Sequence, residues 1–138
     1  MPSDSASPEQ VTLTRIVMPG QTNARGTLFG GVALSLMDEA SAIVALRHAR
    51  CSVVTAHIDS VDFKGPIFEG EAVEVTARLK MVGRSSMRVS VESWGENMET
   101  GERRFCTSAE FVFVAMGADG KPCPVPPLGS KPKGPTKA

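Results

Sequence analysis

"GTLFGGVALSLMDEASAIVALRHA", Gly26 to Ala49, places a Gly-Gly pair at the head of an apolar stretch that also carries two consecutive acids. From Gly30 to Arg50 the pattern has a helical period. Val32, Leu36, Ala40, Ile43 and Arg47 trace one row, and Ala33, Met37, Ala40 and Val44 the next. Leu34, Ala42, Ala45 and Leu46 fill much of the remainder. Such a helix is apolar nearly all round and is expected to be wrapped rather than laid on a surface.

Outward from it the period changes to two. "VTLTRIVM" (Val11 to Met18) alternates and stops at Pro19-Gly20, which reads as a strand ending in a turn. Beyond the helix, Val53–Phe63, Ala72–Val82, Ser86–Trp94 and Arg104–Met116 read as strands. They are jointed at Lys64-Gly65-Pro66, Gly83–Ser86 and Gly95–Glu102. The expected order is strand, helix, then four strands in antiparallel succession. This is an α+β arrangement in which a curved antiparallel sheet wraps one long central helix. Residues 1–10 are Ser- and Pro-rich, and the stretch after Met116 holds six of the ten prolines, so residues 117–138 read as a loose Pro/Gly/Lys-rich tail. The folded domain is expected over residues 11–116.

Length and composition narrow the function classes. A chain of 138 residues is about one domain and supports one core. No apolar run approaches the roughly 20 residues of a membrane span. Fifteen basic residues balance fifteen acidic ones, which argues against nucleic acid or an anionic membrane as partner. The N-terminus lacks the layout of a secretory signal, and three widely spaced cysteines without a CxxC pair do not make a disulfide framework. The expectation is a cytoplasmic protein with plain thiols. His48, Cys51 and His57 lack finger-type spacing with a fourth ligand, so no metal is expected.

Asp38 and Glu39 then need a reason. An ionised carboxylate in apolar surroundings is expensive unless donors surround it. On helical spacing Asp38 has Leu34, Ser35, Ser41, Ala42 and Ala45 as neighbours, all small or apolar, which leaves room for a bound molecule. The run before the helix, "NARGTLFGG" (Asn23 to Gly31), ends with Gly30 and Gly31 where the first turn leaves backbone N–H groups unpaired. Those donors at the positive end of the helix suit a developing oxyanion. Equally, the glycines allow tight helix-to-sheet packing. Asp38 lies about 12 Å further along the axis from Gly30, so one bound group reaches both only if it lies along the helix or the glycine loop folds back.

The combination N-x-x-G-x-x-F-G-G followed by M-D-E, with "VVTAHIDSVDFKGPIFEGEAVEVTARL" and "GRSSMRVSVESW" after it, resembles the hotdog-fold acyl-CoA thioesterases, in particular the cytosolic acyl-CoA hydrolase group with the bacterial YciA type. The resemblance runs from about Val11 to Leu128. It implies hydrolysis of acyl-CoA to a free acid and CoA, with no cofactor, in sites at a homodimer interface within a hexamer built as a trimer of dimers. By motif position Asp38 is the general base or nucleophile, and Asn23 of the partner subunit positions water or thioester. Backbone N–H groups of Gly30 or Gly31 polarise the carbonyl. Glu39, about 100° round the helix from Asp38, is assigned to structure. The resemblance places the CoA phosphates against Gly83–Ser86 and the basic C-terminal segment, through Arg84, Ser85, Ser86 and Lys121, with Arg103 and Arg104 as equal candidates. Phe29 reads as a wall of the acyl channel.

Thr55, His57 and Asp59 are expected on one face of their strand and Val54, Ala56 and Ile58 on the other. Thr55 is assigned to substrate binding, His57 to the strand surface or a dimer edge. Two further readings compete with hydrolysis: a non-catalytic acyl-CoA binding module, and an enoyl-CoA hydratase. The hydratase wants a histidine beside the acid, and His48 stands ten residues beyond Asp38.

Overall fold

The structure, a computed structural model, describes residues 9–129. Of the segments expected to be loose, residues 1–8 and 130–138 lie outside the described residues. Five strands, β1 (Gln10–Ile16), β2 (Ser52–Phe63), β3 (Ala72–Val82), β4 (Ser86–Glu96) and β5 (Arg103–Met116), form one antiparallel curved sheet around a single helix, α1 (Gly30–Ala49). A short 3-10 turn, Pro19–Gln21, follows β1. The α+β hotdog arrangement is the one expected, and each element falls within two residues of its expected position.

The strand order corrects the expected succession. It is β1-β3-β4-β5-β2, so only β3, β4 and β5 form a meander. Lys64-Gly65-Pro66 is not a hairpin turn. The Lys64 N–H is tied to the Cys106 carbonyl at 2.7 Å, and the chain then crosses to the far side of the sheet. There Val17 N–H donates to the Glu71 carbonyl and Leu28 N–H to the Ile67 carbonyl, both at 2.8 Å. The crossover thus becomes a shelf for the segment between β1 and α1.

The core lies between α1 and the inner face of the meander. Alternate residues Val73, Val75, Ala77 (β3), Met87, Val89, Val91 (β4) and Ala109, Phe111, Phe113 (β5) are buried, as period-2 strands with one covered face require. Facing them, α1 buries one stripe, Ala33, Met37, Ala40, Ser41, Val44, Ala45 and His48. The helix packs against all five strands, but only this stripe is sealed; Leu34, Leu36 and Ile43 are half-buried and Leu46 is exposed. The wrapping expected from the apolar pattern is therefore met on one side only.

Two local departures matter for the site. The pairing of β2 with β5 shifts between Thr55 and His57, leaving Ala56 unpaired, and shifts again before Asp62 near Ser60, whose φ is +56°. A bulge changes the parity of the strand. Thr55 and Ile58 accordingly stand opposite Phe113 and Phe111 on the helix side, while His57 and Asp59 stand opposite Val112 and Glu110 on the outer face. The shared face expected for Thr55, His57 and Asp59 is corrected on that ground.

The second departure is at the C-terminal side. Part of the stretch expected to be loose is bonded back: Cys123 N–H donates to the Ala115 carbonyl and Val125 N–H to the Arg84 carbonyl, each at 2.9 Å. The Pro126 carbonyl meets His48 Nε2 at 2.7 Å. Residues 122–126 form a strap across the C-terminal end of α1. At the other end, Gln10 already belongs to β1, opposite Arg78.

Candidate active site

Asp38 sits on α1, half-buried, on the flank of the stripe that faces the sheet. Thr55 Oγ1 donates to Asp38 Oδ1 at 2.8 Å. The bulge at Ala56 makes this possible, because it turns Thr55 inward at the level of Phe113 and Met87. One carboxylate oxygen is held, and no described residue bonds the other. Glu39, one residue on, is exposed and stands 3.7 Å from Arg15.

The loop ahead of α1 is built on Asn23. Its Oδ1 accepts the backbone N–H groups of Arg25 (2.9 Å) and Thr27 (3.1 Å), and its Nδ2 donates to Thr27 Oγ1 at 2.9 Å. A primary amide has two N–H donors, so one remains. None of these bonds runs to Asp38 of the same chain. The loop is seated on the crossover shelf through the Thr27–Phe68 bridge and the Glu69 N–H to Gly26 carbonyl bond of 3.0 Å.

At the head of α1 the first bond is from Ala33 N–H to the Phe29 carbonyl, so the N–H groups of Gly30, Gly31 and Val32 precede the helical ladder. A Cβ on Gly30 would stand 3.3 Å from the Phe63 ring, whereas Gly31 has open space beside it. Close packing is therefore part of the reason for Gly30. Phe29 is half exposed at 50%, as is Phe63 at 53%.

The structure divides the basic candidates. Arg84 and Ser85 lie in the β3–β4 turn and Ser86 opens β4, and the Arg84–Val125 bond joins that turn to the strap that follows Lys121. This cluster stands two strands from Thr55 at the same level of the sheet, roughly 10 Å away. Arg103 and Arg104 are at the opposite end of β5 and their guanidinium groups are taken: Arg103 by Glu74 and Glu96, Arg104 by Glu71. They are not equal candidates for a phosphate. Glu71 is a residue the sequence reading missed. Burial raises its pKa, but the Arg104 guanidinium and the Phe68 N–H more than reverse this and hold it below the usual carboxylate value. No pattern in the sequence marks that pair, which is 33 residues apart.

The three residues weighed as metal ligands go to different places. His48 meets the Pro126 carbonyl, Cys51 lies beside Cys123, and His57 faces outward from β2. All three cysteines are free thiols. No described helix is long and apolar enough to cross a membrane.

The chain around this arrangement has known relatives. The sequence profile described as "Thioesterase superfamily" matches residues 25–102, from the Asn23 loop through β4. The chain belongs to the thioesterase superfamily. It is 35% identical over 129 residues to the acyl-CoA thioester hydrolase YciA of Salmonella typhimurium, covering 91% of this chain and 97% of that one. Among solved structures, a hexameric acyl-CoA thioesterase superposes with a TM-score of 0.83 at 44% identity, over 86% of this chain and 76% of that one. The acyl-CoA hydrolase of Staphylococcus aureus, solved with butyryl coenzyme A and coenzyme A, superposes with a TM-score of 0.81 at 36% identity, over 86% of this chain and 72% of that one. That hydrolase has also been solved with a single Asn, Asp or Thr changed to alanine.

Proposed function

We propose that this thioesterase-superfamily chain hydrolyses acyl-CoA to the free carboxylic acid and CoA, in a cleft between two copies, with Asp38 as general base. The observation that carries the reading is the Thr55–Asp38 hydrogen bond. It fixes one oxygen of a half-buried carboxylate and leaves the other to take a proton from water. The water oxygen then adds to the thioester carbon. The oxyanion so formed is met by the free N–H groups of Gly30 or Gly31, and its collapse expels the CoA thiolate, which takes back the proton from Asp38.

Gly30 and Asp38 of one chain are about 12 Å apart along the axis, too far for one carbonyl to touch both. A second copy supplying its own Asn23–Gly31 loop removes that difficulty, and the free amide N–H of the partner's Asn23 then orients water or thioester. Ile58 and Phe63, exposed on the helix-facing side of β2, give such a copy apolar surface to cover. Support also comes from the S. aureus hydrolase. Its three alanine positions, Asn, Asp and Thr, are separated by 15 and 17 residues, the intervals that separate Asn23, Asp38 and Thr55. We extend the proposal to a hexamer built as a trimer of dimers, because the 44%-identical structure is hexameric. Arg84, Ser85, Ser86 and Lys121 are proposed to hold the CoA phosphates, Phe29 to line the acyl channel, and the chemistry to need no cofactor.

A binding module would gain nothing from an anchored carboxylate, and a hydratase would want a histidine beside it, whereas His48 is bonded elsewhere. The test is thiol release from a panel of short to long acyl-CoAs by the wild type, Asp38→Asn and Asn23→Ala. Hydrolysis is expected to fall roughly 10²–10⁴-fold in Asp38→Asn with the assembly intact. Full activity in that variant, or a wild type that binds acyl-CoA and releases no thiol, overturns the reading.

A further inference from the structure

We propose that Cys51 and Cys123 form a redox modification site, in which exchange with a low-molecular-weight disulfide closes an intramolecular disulfide that staples the C-terminal strap to the base of α1 and β2. The two Sγ atoms lie 3.6 Å apart although 72 residues separate them in the chain. Both thiols are free and half-buried, which leaves each open to a small reagent, whereas Cys106 is fully buried.

Both partners are held by ordered backbone. Cys51 follows Arg50, the left-handed cap of α1 (φ +55°), whose N–H is tied to the Leu46 carbonyl at 2.8 Å. Cys123 is tied through its own N–H to Ala115 of β5 at 2.9 Å, and the strap beyond it is pinned by the Val125–Arg84 and Pro126–His48 bonds. A disulfide needs the sulfurs about 2.05 Å apart, so the gap closes by side-chain rotation about Cα–Cβ with small adjustment of the strap. The proximity is built by the fold and not by a local Cys-x-x-Cys turn.

The chemistry balances with the disulfide as oxidant. One cysteine thiolate attacks a sulfur of RSSR, breaking its S–S bond and releasing RS⁻, to give a mixed disulfide on the protein. The second cysteine thiolate attacks the protein sulfur of that mixed disulfide and releases the second RS⁻. The two protons lost by the cysteines end on two molecules of RSH; the cysteines are oxidised and RSSR is reduced. Burial and the neighbouring thiol hold the Cys51 pKa above its usual value, so the exchange is slow and requires sustained exposure to the oxidant.

The test uses the full-length protein incubated with glutathione disulfide and then denatured and alkylated. The expected product is a chain lighter by two hydrogens, with Cys106 alone alkylated, a non-reduced peptide joining Cys51 to Cys123, and a melting temperature raised by roughly 5–15 °C that dithiothreitol returns to the starting value. Cys51→Ser is expected to halt at one glutathione on Cys123 and to show no rise. Cys51→Ala serves the same purpose should the serine variant fold poorly. Three alkylated thiols after exposure, a stable glutathione adduct on the wild type, or a linkage between chains overturns the proposal. The result does not depend on the hydrolytic assignment, since neither sulfur touches Asp38 or Asn23 and the readout is a mass and a melting temperature.

Discussion

The meander and β2 are made of the same kinds of residue and end in opposite states. Phe111 and Phe113 on β5 are at 0% and 1% exposure and stack with ring centroids 6.3 Å apart, while Val54, Ile58, Val61 and Phe63 on β2 are 39–53% exposed. β2 is also a twelve-residue edge strand with one side unpaired, a feature soluble proteins rarely leave open. One region is finished by the chain itself. The other carries apolar surface and hydrogen-bonding capacity that the chain does not use, and the proposed acid stands on the border between them. An alternating pattern thus identifies which residues want cover without saying which chain provides it.

The sharpest way to break this contrast is to make the same change in each region. Phe111→Ala should cost about 3–5 kcal/mol of folding stability whatever the protein concentration, because it opens a cavity in a closed core. Phe63→Ala should leave the fold intact and shift the assembly toward smaller species, with hydrolysis falling alongside. Urea unfolding and sedimentation at several concentrations separate the two outcomes. Equal losses of stability with unchanged assembly would mean that β2 is not covered by a second copy.

Next in size is the seat of the Asn23 loop. Glu71 is 9% exposed and holds both Arg104 and the Phe68 N–H. Its removal as Glu71→Gln should cost about 1.5–3 kcal/mol, the range for hydrogen bonds to charged groups. The folded-state pKa of Glu71 is lowered from 4.5. Its contribution is therefore fully present above about pH 4.5 and is lost as pH falls through the lower folded value. An acid titration of stability should be flatter below that pH in Glu71→Gln than in the wild type. Parallel acid limbs would show that the pair does not stabilise the fold.

A smaller effect is expected where the two regions meet. Thr55→Val keeps shape and removes the donor to Asp38, so kcat should fall about tenfold, the equivalent of about 1.4 kcal/mol, while Thr55→Ser recovers most of it. A fall in stability without a change in kcat would make Thr55 a packing residue.

What was legible in the sequence follows the same division. The period of α1 and the alternation of each strand are local, and they placed all six elements. The Asp38 and Gly30-Gly31 positions were legible because an acid within an apolar helix and paired glycines at its head are local anomalies. The position of β2 beyond β5 was not legible, since Lys64-Gly65-Pro66 has the composition of a hairpin turn and only the tie to Cys106 shows otherwise. Nor was the Thr55–Asp38 bond, because the bulge at Ala56 inverts the parity that alternation assumes. The strap was hidden by its prolines, which read as loose chain. Its few backbone N–H groups, at Cys123 and Val125, are nevertheless the ones that bond.

The smallest expected effect tests the contrast at single-residue resolution, because Asp38 and Glu39 are adjacent, of equal charge, and on the same helix. Asp38 is half-buried and bonded to Thr55, whereas Glu39 is exposed and 3.7 Å from Arg15, itself exposed. An exposed pair at that distance contributes little, since solvent screens it and two flexible side chains must be ordered to form it. Glu39→Gln should therefore change stability by less than about 0.5 kcal/mol and leave thiol release from acyl-CoA within twofold of the wild type. A loss as large as that expected for Asp38→Asn would mean that either acid serves the reaction, and that the carboxylate's chemistry comes from the general negative charge of the helix and not from the one position the bulged strand anchors.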